Sequence, residues 1–367
     1  MGIFESMAQG GHEQLLFFRE RASGLKAMVA VHDTTLGPAL GGCRMYPYRS
    51  EEEAVRDALR LSRGMTYKSA AAGLNFGGGK SVVWGDPARD KSEPLFRALG
   101  RFVESLRGRY IMGTDLGTTG QDFVWASAET KQVVALPEEY GGSGDTALTT
   151  AFGVWKGMKA CARTAWGSDS LRGRVVAVQG VGKVGRHLVR HLHEEGSRLI
   201  VTDADREHLQ AVTASLSVEV VEPEGIYDVD CDIFSPNALG GVINRHTIPR
   251  LRCRVVAGAA NNQLAEPGDG EELHRRGILY APDYLINAGG VIQAADELEG
   301  YNHDRVLRKV AGIYDQLLAV FRIARERDIP PERAADFLVE ERLRLLGALG
   351  EIYLGEHRCM TADRHHQ

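Results

Sequence analysis

Arg174-Val175-Val176-Ala177-Val178-Gln179 runs without a break into Gly180-Val181-Gly182-Lys183-Val184-Gly185, and about twenty positions on, Leu199-Ile200-Val201-Thr202 ends in Asp203. The first run reads as a strand. Val184, Leu188 and Leu192 mark the apolar stripe of a helix, and the last run reads as a second strand. A bare G-x-G-x-x-G is a weak signal. Set between strand and helix, with an acidic residue closing the next strand, it specifies a dinucleotide-binding βαβ unit. Gly180, Val181, Gly182, Lys183, Val184 and Gly185 would bring the backbone against a pyrophosphate at the helix N-terminus, and Asp203 would accept from the ribose hydroxyls. That carboxylate would repel a 2′-phosphate, so NAD is preferred over NADP, although Arg206 stands close by.

Downstream the same rhythm continues through strands at 218–221, 232–234 and 255–258. Asn237 and Asn261-Asn262 follow two of these strands. In a doubly wound sheet ligands sit outside the carboxyl ends of strands, whereas asparagine is also a turn former; both readings stand. A long helix is predicted over 304–327 with Leu307, Val310, Tyr314, Leu317 and Phe321 on its core stripe, ended by Pro330-Pro331. A last helix carries Ala334, Phe337, Leu338 and Leu345, and residues after about 353 read as disordered.

Upstream, β-rich runs at 14–18 and 25–31 predict a hairpin. Ser50 with Glu53 predicts a capping box opening a helix that leads to Lys68. A strand at 81–84, a helix at 94–106 and a strand at 110–112 that delivers Asp115 complete an α/β pattern, with the lysines at strand and helix ends. Gly141-Gly142-Ser143-Gly144 is a domain boundary. The expected fold is α/β in two domains: residues 1–140, with about 328–355 packing back on them, a doubly wound NAD-binding domain at 145–327, and a flexible tail at 356–367.

Composition excludes several classes. At 367 residues the chain exceeds the usual size of one core, and it is 43% hydrophobic and 25% charged, as globular proteins are. A net charge of −5 argues against nucleic acid or an anionic membrane as partner. No run of about eighteen apolar residues exists and the first residues lack the order of a signal peptide, so a cytoplasmic protein is expected. The five cysteines are scattered and form no C-x-x-C pair, which suits a reducing compartment and indicates neither a disulfide framework nor a zinc site.

A second constellation is Gly77-Gly78-Gly79-Lys80, taken with Lys68 and Asp115. Three glycines would let the backbone approach a ligand and leave the lysine amine projecting into the space. A phosphate-binding P-loop fails, because its leading glycine would fall at Leu74. The Ala/Gly-rich setting of Lys68 and Lys80 opposes the ordinary reading of two solvated charges. A partly desolvated lysine beside a second cation loses proton affinity and can serve as a base, while its neighbour holds an anion. His187 and His191 share a helix face at a spacing that zinc tolerates, but no third ligand is in view, so a solvated face is preferred and no metal is expected.

At these residues the chain resembles the amino-acid dehydrogenases that deaminate glutamate, leucine, phenylalanine and valine. The resemblance runs from about Gly11 to Leu338. It covers Leu36-Gly37-Pro38-Ala39-Leu40-Gly41-Gly42, Gly64-Met65-Thr66-Tyr67-Lys68, the triple glycine, the glycine fingerprint, Gly258-Ala259-Ala260-Asn261-Asn262-Gln263-Leu264, Tyr280-Ala281-Pro282-Asp283-Tyr284 and Asn287-Ala288-Gly289-Gly290. Asn237 departs from it, since the family carries cysteine there. The resemblance implies a cleft between the domains and assembly into an octamer. It implies that Lys68 holds the substrate carboxylate among Gly41, Gly42 and Met65, that Lys80 activates water, and that Asp115 exchanges protons with the amine. Asn262 would steady the amine, and Thr150 and Asn261 the nicotinamide.

The implied reaction is hydride transfer from an amino acid to NAD with release of ammonia; a catalytically silent dinucleotide-binding regulator is the alternative. The side chain would lie against Leu40, Gly113, Val291 and Ala294. Gly41-Gly42-Cys43-Arg44-Met45, Gly113-Thr114-Asp115-Leu116-Gly117 and Gly144-Asp145-Thr146 are similar to the phenylalanine enzymes, while 20–75 is equally similar to the leucine enzymes. Gly113 and Ala294 replace larger residues of the leucine enzymes and leave room for a ring; Val291 points the other way. Phenylalanine is the expected substrate, with leucine or valine as the alternative.

Overall fold

The computed structural model describes residues 2–351. They form two units, residues 2–144 with 339–351, and Asp145–Leu338. The tail expected at 356–367 lies outside the described residues.

In the first unit α1 (Ile3–Gly10) precedes β1 (Gln14–Arg19) and β2 (Lys26–Asp33), which form the expected hairpin with Gln14 opposite Val31. Then come β3 (Ala39–Tyr46), α2 (Glu51–Ala71), β4 (Gly77–Trp84), α3 (Glu93–Ser105), β5 (Tyr110–Thr114) and α4 (Gly120–Ser127). The sheet order is β1-β2-β4-β3-β5, with β4 antiparallel to β2 and parallel to β3, and β3 parallel to β5. Apolar clusters cover both faces: Leu95, Phe96, Leu99 and Val103 of α3 pack on one, and Ala54, Val55, Ala58 and Leu59 of α2 on the other. The Ser50 hydroxyl accepts from the Glu53 amide at 3.2 Å, but the Glu53 carboxylate reaches back to the Arg49 amide, one residue beyond the expected cap.

The triple glycine does something other than clear space for a ligand. Gly77, Gly78 and Gly79 lie inside β4, all buried, and Lys80 is therefore within a central strand instead of at its end. A Cβ at Gly78 would sit 2.1 Å from the Thr66 amide of α2, one at Gly79 would sit 2.6 Å from the Tyr110 ring, and one at Gly77 would meet the Asp33 carbonyl at 2.0 Å. The protein's own elements fill that room. The glycines let α2, which carries Lys68, lie directly on the strand that carries Lys80.

The second unit opens with α5 (Ala147–Trp166) and continues with β6 (Val175–Gln179), α6 (Gly185–Glu195), β7 (Arg198–Thr202), α7 (Arg206–Thr213), β8 (Glu219–Val220), β9 (Ile233–Pro236) and β10 (Val255–Val256). It ends with α8 (Gly268–Arg275), β11 (Leu279–Tyr280), α9 (Asp283–Ile286), α10 (Gly289–Asp296), α11 (His303–Ala311), α12 (Ile313–Arg327) and α13 (Pro331–Gly347). Its sheet is parallel throughout, in the order β11-β10-β9-β6-β7-β8. The first strand, β6, is central and the chain winds outward from it in both directions, which is the doubly wound arrangement the glycine fingerprint predicted.

The helix expected over 304–327 is two helices, parted at Gly312. The apolar spacing runs across the break, so periodicity alone does not reveal it. From Val339 on, α13 belongs to the first unit, where Arg342 donates to the Ala70 carbonyl at 2.6 Å and to Asn75 Oδ1 at 2.9 Å, holding the end of α2 just past Lys68. No helix among the described residues is long and apolar enough to cross a membrane.

Candidate active site

Three neighbouring strands of the first unit converge on one carboxylate. Lys80 projects from β4, Gly41 and Gly42 lie in β3, and β5 ends one residue before Asp115. Lys80 Nζ is 2.8 Å from Asp115 Oδ2, and Arg44 Nε is 3.0 Å from the same oxygen. Gly42 makes this possible, because a Cβ there would stand 2.7 Å from Asp115 Cβ and 3.1 Å from Lys80 Nζ. Sequence reasoning quoted Arg44 within a motif but gave it no role. Its Nη1 also reaches Asp57 Oδ2 at 2.9 Å, to which Tyr48 donates at 2.7 Å.

Electrostatics follow from this geometry. Burial alone would push the Asp115 carboxyl up, but the Lys80 ammonium and the Arg44 guanidinium outweigh it and hold the group down at about 2. Asp115 is therefore an anion at neutral pH. Lys80 is paired with this anion, and the Arg44 guanidinium shares the same carboxylate oxygen. Lys80 is 5% exposed, so its amine is largely shielded from bulk water.

The remaining candidates of this unit lie on α2, β3 and β5. Lys68 and Met65 are half-buried one turn apart on α2, and a Cβ at Gly41 would meet Met65 Cγ at 3.3 Å and the Gly79 carbonyl at 1.7 Å. Leu40 is fully buried in β3 beside Gly78 and Ile111. A methyl added at Gly113 would come within 3.2 Å of Val134 Cγ2, so the room expected at this glycine is bounded by Val134.

In the second unit the glycine turn has the geometry that a dinucleotide needs. Gly180 has φ +92° and a Cβ there would meet Ala238; one at Gly185 would stand 2.1 Å from the Gly180 carbonyl. Among the described residues no side chain caps the start of α6, an uncapped helix start of the kind that can accept an anion. Asp203 Oδ2 accepts from the Val181 amide at 2.7 Å, which ties the second strand to the turn. His208, which sequence reasoning passed over, stands 3.5 Å from Asp203 Oδ2 and beside Gly182.

Asn261 and Asn262 are exposed after β10, Asn262 in the left-handed region at φ +51°. Asn287 Nδ2 donates to Asn261 Oδ1 at 2.8 Å, and the Gly241 amide donates to the Asn262 carbonyl at 2.7 Å. Asn237, for which binding and turn formation stood open, is structural: its Oδ1 accepts from the Ala259 amide at 2.8 Å and its Nδ2 donates to the Ser235 carbonyl at 2.9 Å. Thr150 lies on the first turn of α5 against the start of α10, where a Cβ at Gly290 would be 3.1 Å from its hydroxyl. Val291 and Ala294 are half-buried on one face of α10.

His191 corrects another expectation. Its face is not simply solvated, because the ring stacks on Trp155 at 5.4 Å and α5 packs there. Among the described residues no group of three or more His, Cys, Asp or Glu side chains could hold a metal ion.

Comparison with known proteins agrees with both halves. Residues 12–132 match the model of the Glu/Leu/Phe/Val dehydrogenase dimerisation domain, and residues 141–207 and 199–310 match that of glutamate/leucine/phenylalanine/valine dehydrogenase. The chain is 54% identical to leucine dehydrogenase of Thermoactinomyces intermedius over 98% of each protein. It is 51% identical to phenylalanine dehydrogenase of the same organism, over 97% of this chain and 98% of that one. The crystal structure of L-tryptophan dehydrogenase from Nostoc punctiforme superposes with a TM-score of 0.84 at 46% identity, over 94% of this chain and 99% of that one. The leucine and phenylalanine dehydrogenases of this family are NAD-dependent, and the open glycine turn, the uncapped helix start and Asp203 fit that cofactor. The chain thus belongs to the Glu/Leu/Phe/Val dehydrogenase family and is an amino-acid dehydrogenase of the leucine/phenylalanine type.

Proposed function

We propose that this chain catalyses the reversible oxidative deamination of L-phenylalanine to phenylpyruvate and ammonia with NAD. The observation that carries the reaction is the Lys80–Asp115–Arg44 cluster, seated on a glycine that admits no side chain. NAD, which the Gly180–Gly185 turn and Asp203 would hold, would supply the acceptor for the hydride of the amino acid Cα. Lys68 holds the substrate carboxylate as a fixed cation. Asp115, ionised at neutral pH, takes a proton from the substrate ammonium, which frees the nitrogen lone pair to form the C=N bond as Cα gives up its hydride. Lys80, acting as the neutral amine, takes the proton of the water that attacks the C=N carbon; Asp115 returns its proton to the nitrogen of the carbinolamine, whose collapse releases ammonia. Asn262 steadies the amine, and Thr150 and Asn261 hold the nicotinamide.

Phenylalanine is supported by the small residues at Gly113 and Ala294 and by the motifs around Cys43, Asp115 and Asp145. A second reading, leucine or valine, is favoured by overall identity, 54–56% to leucine dehydrogenases against 51% to phenylalanine dehydrogenases. A hydrophobic pocket discriminates by only about 1–3 kcal/mol per methylene, so some leucine activity is expected beside phenylalanine. The test is kcat/KM for L-phenylalanine, L-tyrosine, L-tryptophan, L-leucine and L-valine, followed as NADH absorbance at alkaline pH. Phenylalanine should lead; a lead of roughly ten-fold for leucine or valine replaces the aromatic reading with the branched-chain one.

Self-association, as an octamer of cytoplasmic chains, belongs to the same proposal. It is supported by the family's dimerisation domain and by β1, an edge strand with Phe17 48% exposed.

A further inference from the structure

Cys231 and Cys253 take no part in the chemistry above. They stand two residues before Ile233 of β9 and Val255 of β10, which lie opposite each other in the parallel sheet. The bridge between Asp230 and Arg252 keeps the same register, so the two cysteines are direct cross-strand neighbours. Neighbouring strands run about 4.8 Å apart, inside the roughly 4.4–6.8 Å between Cα atoms that a disulfide spans. Both side chains enter one apolar cluster with Phe234 and Val256, and each is 8% exposed, which leaves an edge open to a small reagent.

The two thiols are unequal. Hydrogen bonding between them pushes Cys231 up and Cys253 down, and backbone hydrogen bonds around Phe234, Cys253 and Val255 also favour the Cys253 thiolate. One is fitted to attack and the other to resolve. Cys43 and Cys161 provide the contrast: both are fully buried, and burial raises them, Cys43 to about 12.

We propose that Cys253 and Cys231 form a peroxide-reactive dithiol, a modification site that closes a disulfide between the starts of β9 and β10. The Cys253 thiolate attacks one oxygen of a hydroperoxide; the O–O bond breaks, and the leaving hydroxide or alkoxide takes up a proton. The sulfur is oxidised to sulfenic acid. Cys231, losing its thiol proton, then attacks that sulfur; an S–S bond forms and water leaves. With hydrogen peroxide the sum is two thiols and one peroxide giving one disulfide and two waters. The bridge ties the strand ends opposite those that carry Asn237 and Asn261, so deamination should continue while the second unit gains thermal stability.

The experiment uses the full chain with Cys359→Ser, treated with a molar excess of hydrogen peroxide, quenched, digested without reduction and mapped by mass spectrometry. Two thiols per chain should disappear, and one dithiothreitol-sensitive peptide should join Cys231 to Cys253. Adding Cys231→Ser should leave Cys253 as a sulfenic acid trapped by dimedone, whereas adding Cys253→Ser should slow oxidation of Cys231 at least about ten-fold. Retention of both thiols under conditions that oxidise free cysteine overturns the proposal. So does Cys253 sulfenic acid in the Cys359→Ser chain without the linked peptide. That peptide map does not depend on whether the two further variants fold.

Discussion

Asp115 is a half-buried anion between two cations, and its substitutions and neighbours should separate by kinetics. Lys80→Ala should lower kcat by roughly 10²-fold or more, whereas Lys68→Ala should mainly raise KM for the amino acid; equal, modest effects from both would leave them as ordinary lysines. The Asp115 carboxyl sits below its ordinary 3.8, at about 2, so its ion pairs contribute stability that is present above the ordinary value and lost as pH falls toward 2. Arg44→Gln removes one cation and should move the acid unfolding midpoint to higher pH, read by circular dichroism. An unchanged midpoint would mean that Arg44 contributes nothing to holding the carboxylate. Glu332 is the opposite case. Among the described residues both its carboxyl oxygens are buried without a hydrogen-bond partner, and burial, with Asp336 adding to it, pushes it above its ordinary value. Stability is then full below the ordinary value and declines as pH rises through the elevated one. Glu332→Gln should raise the melting temperature more at pH 8 than at pH 4; an equal gain at both would show that the carboxyl does not titrate in this range.

At the scale of elements, the tight contact of α2 with β4 at Gly78 is the feature on which the site most depends. Gly78→Ala would drive a methyl into the Thr66 amide, and overpacking of this kind destabilises by about 1–3 kcal/mol or more. The expected result is a lower denaturation midpoint together with lost activity, because the displaced helix is the one that carries Lys68. Retention of both would mean that α2 shifts without consequence. The helix opening at Ser50 was read where apolar period and cap coincide, and α3 from its apolar period alone. The break at Gly312 escaped because Leu307, Val310, Tyr314 and Leu317 keep their spacing across it.

For the whole molecule, sedimentation at micromolar concentration should show a species well above the 40.1 kDa chain; a 40.1 kDa species alone would end the self-association proposal. The sequence by itself determined the second unit's doubly wound sheet, because strand, glycines, helix and acidic residue form a local chain of causes: each acts on its neighbours within about thirty residues. It also singled out Lys68, Lys80 and Asp115 as chemical residues. Only the tertiary structure decided what they do to one another. That Arg44 and Lys80 share one carboxylate, that Gly42 stands empty to admit them, and that Gly77-Gly78-Gly79 makes room for α2 instead of a ligand all depend on strands β3, β4 and β5 lying side by side. Such contacts join residues far apart in the chain, and no periodicity or spacing encodes which side chain will fill the room that a glycine leaves.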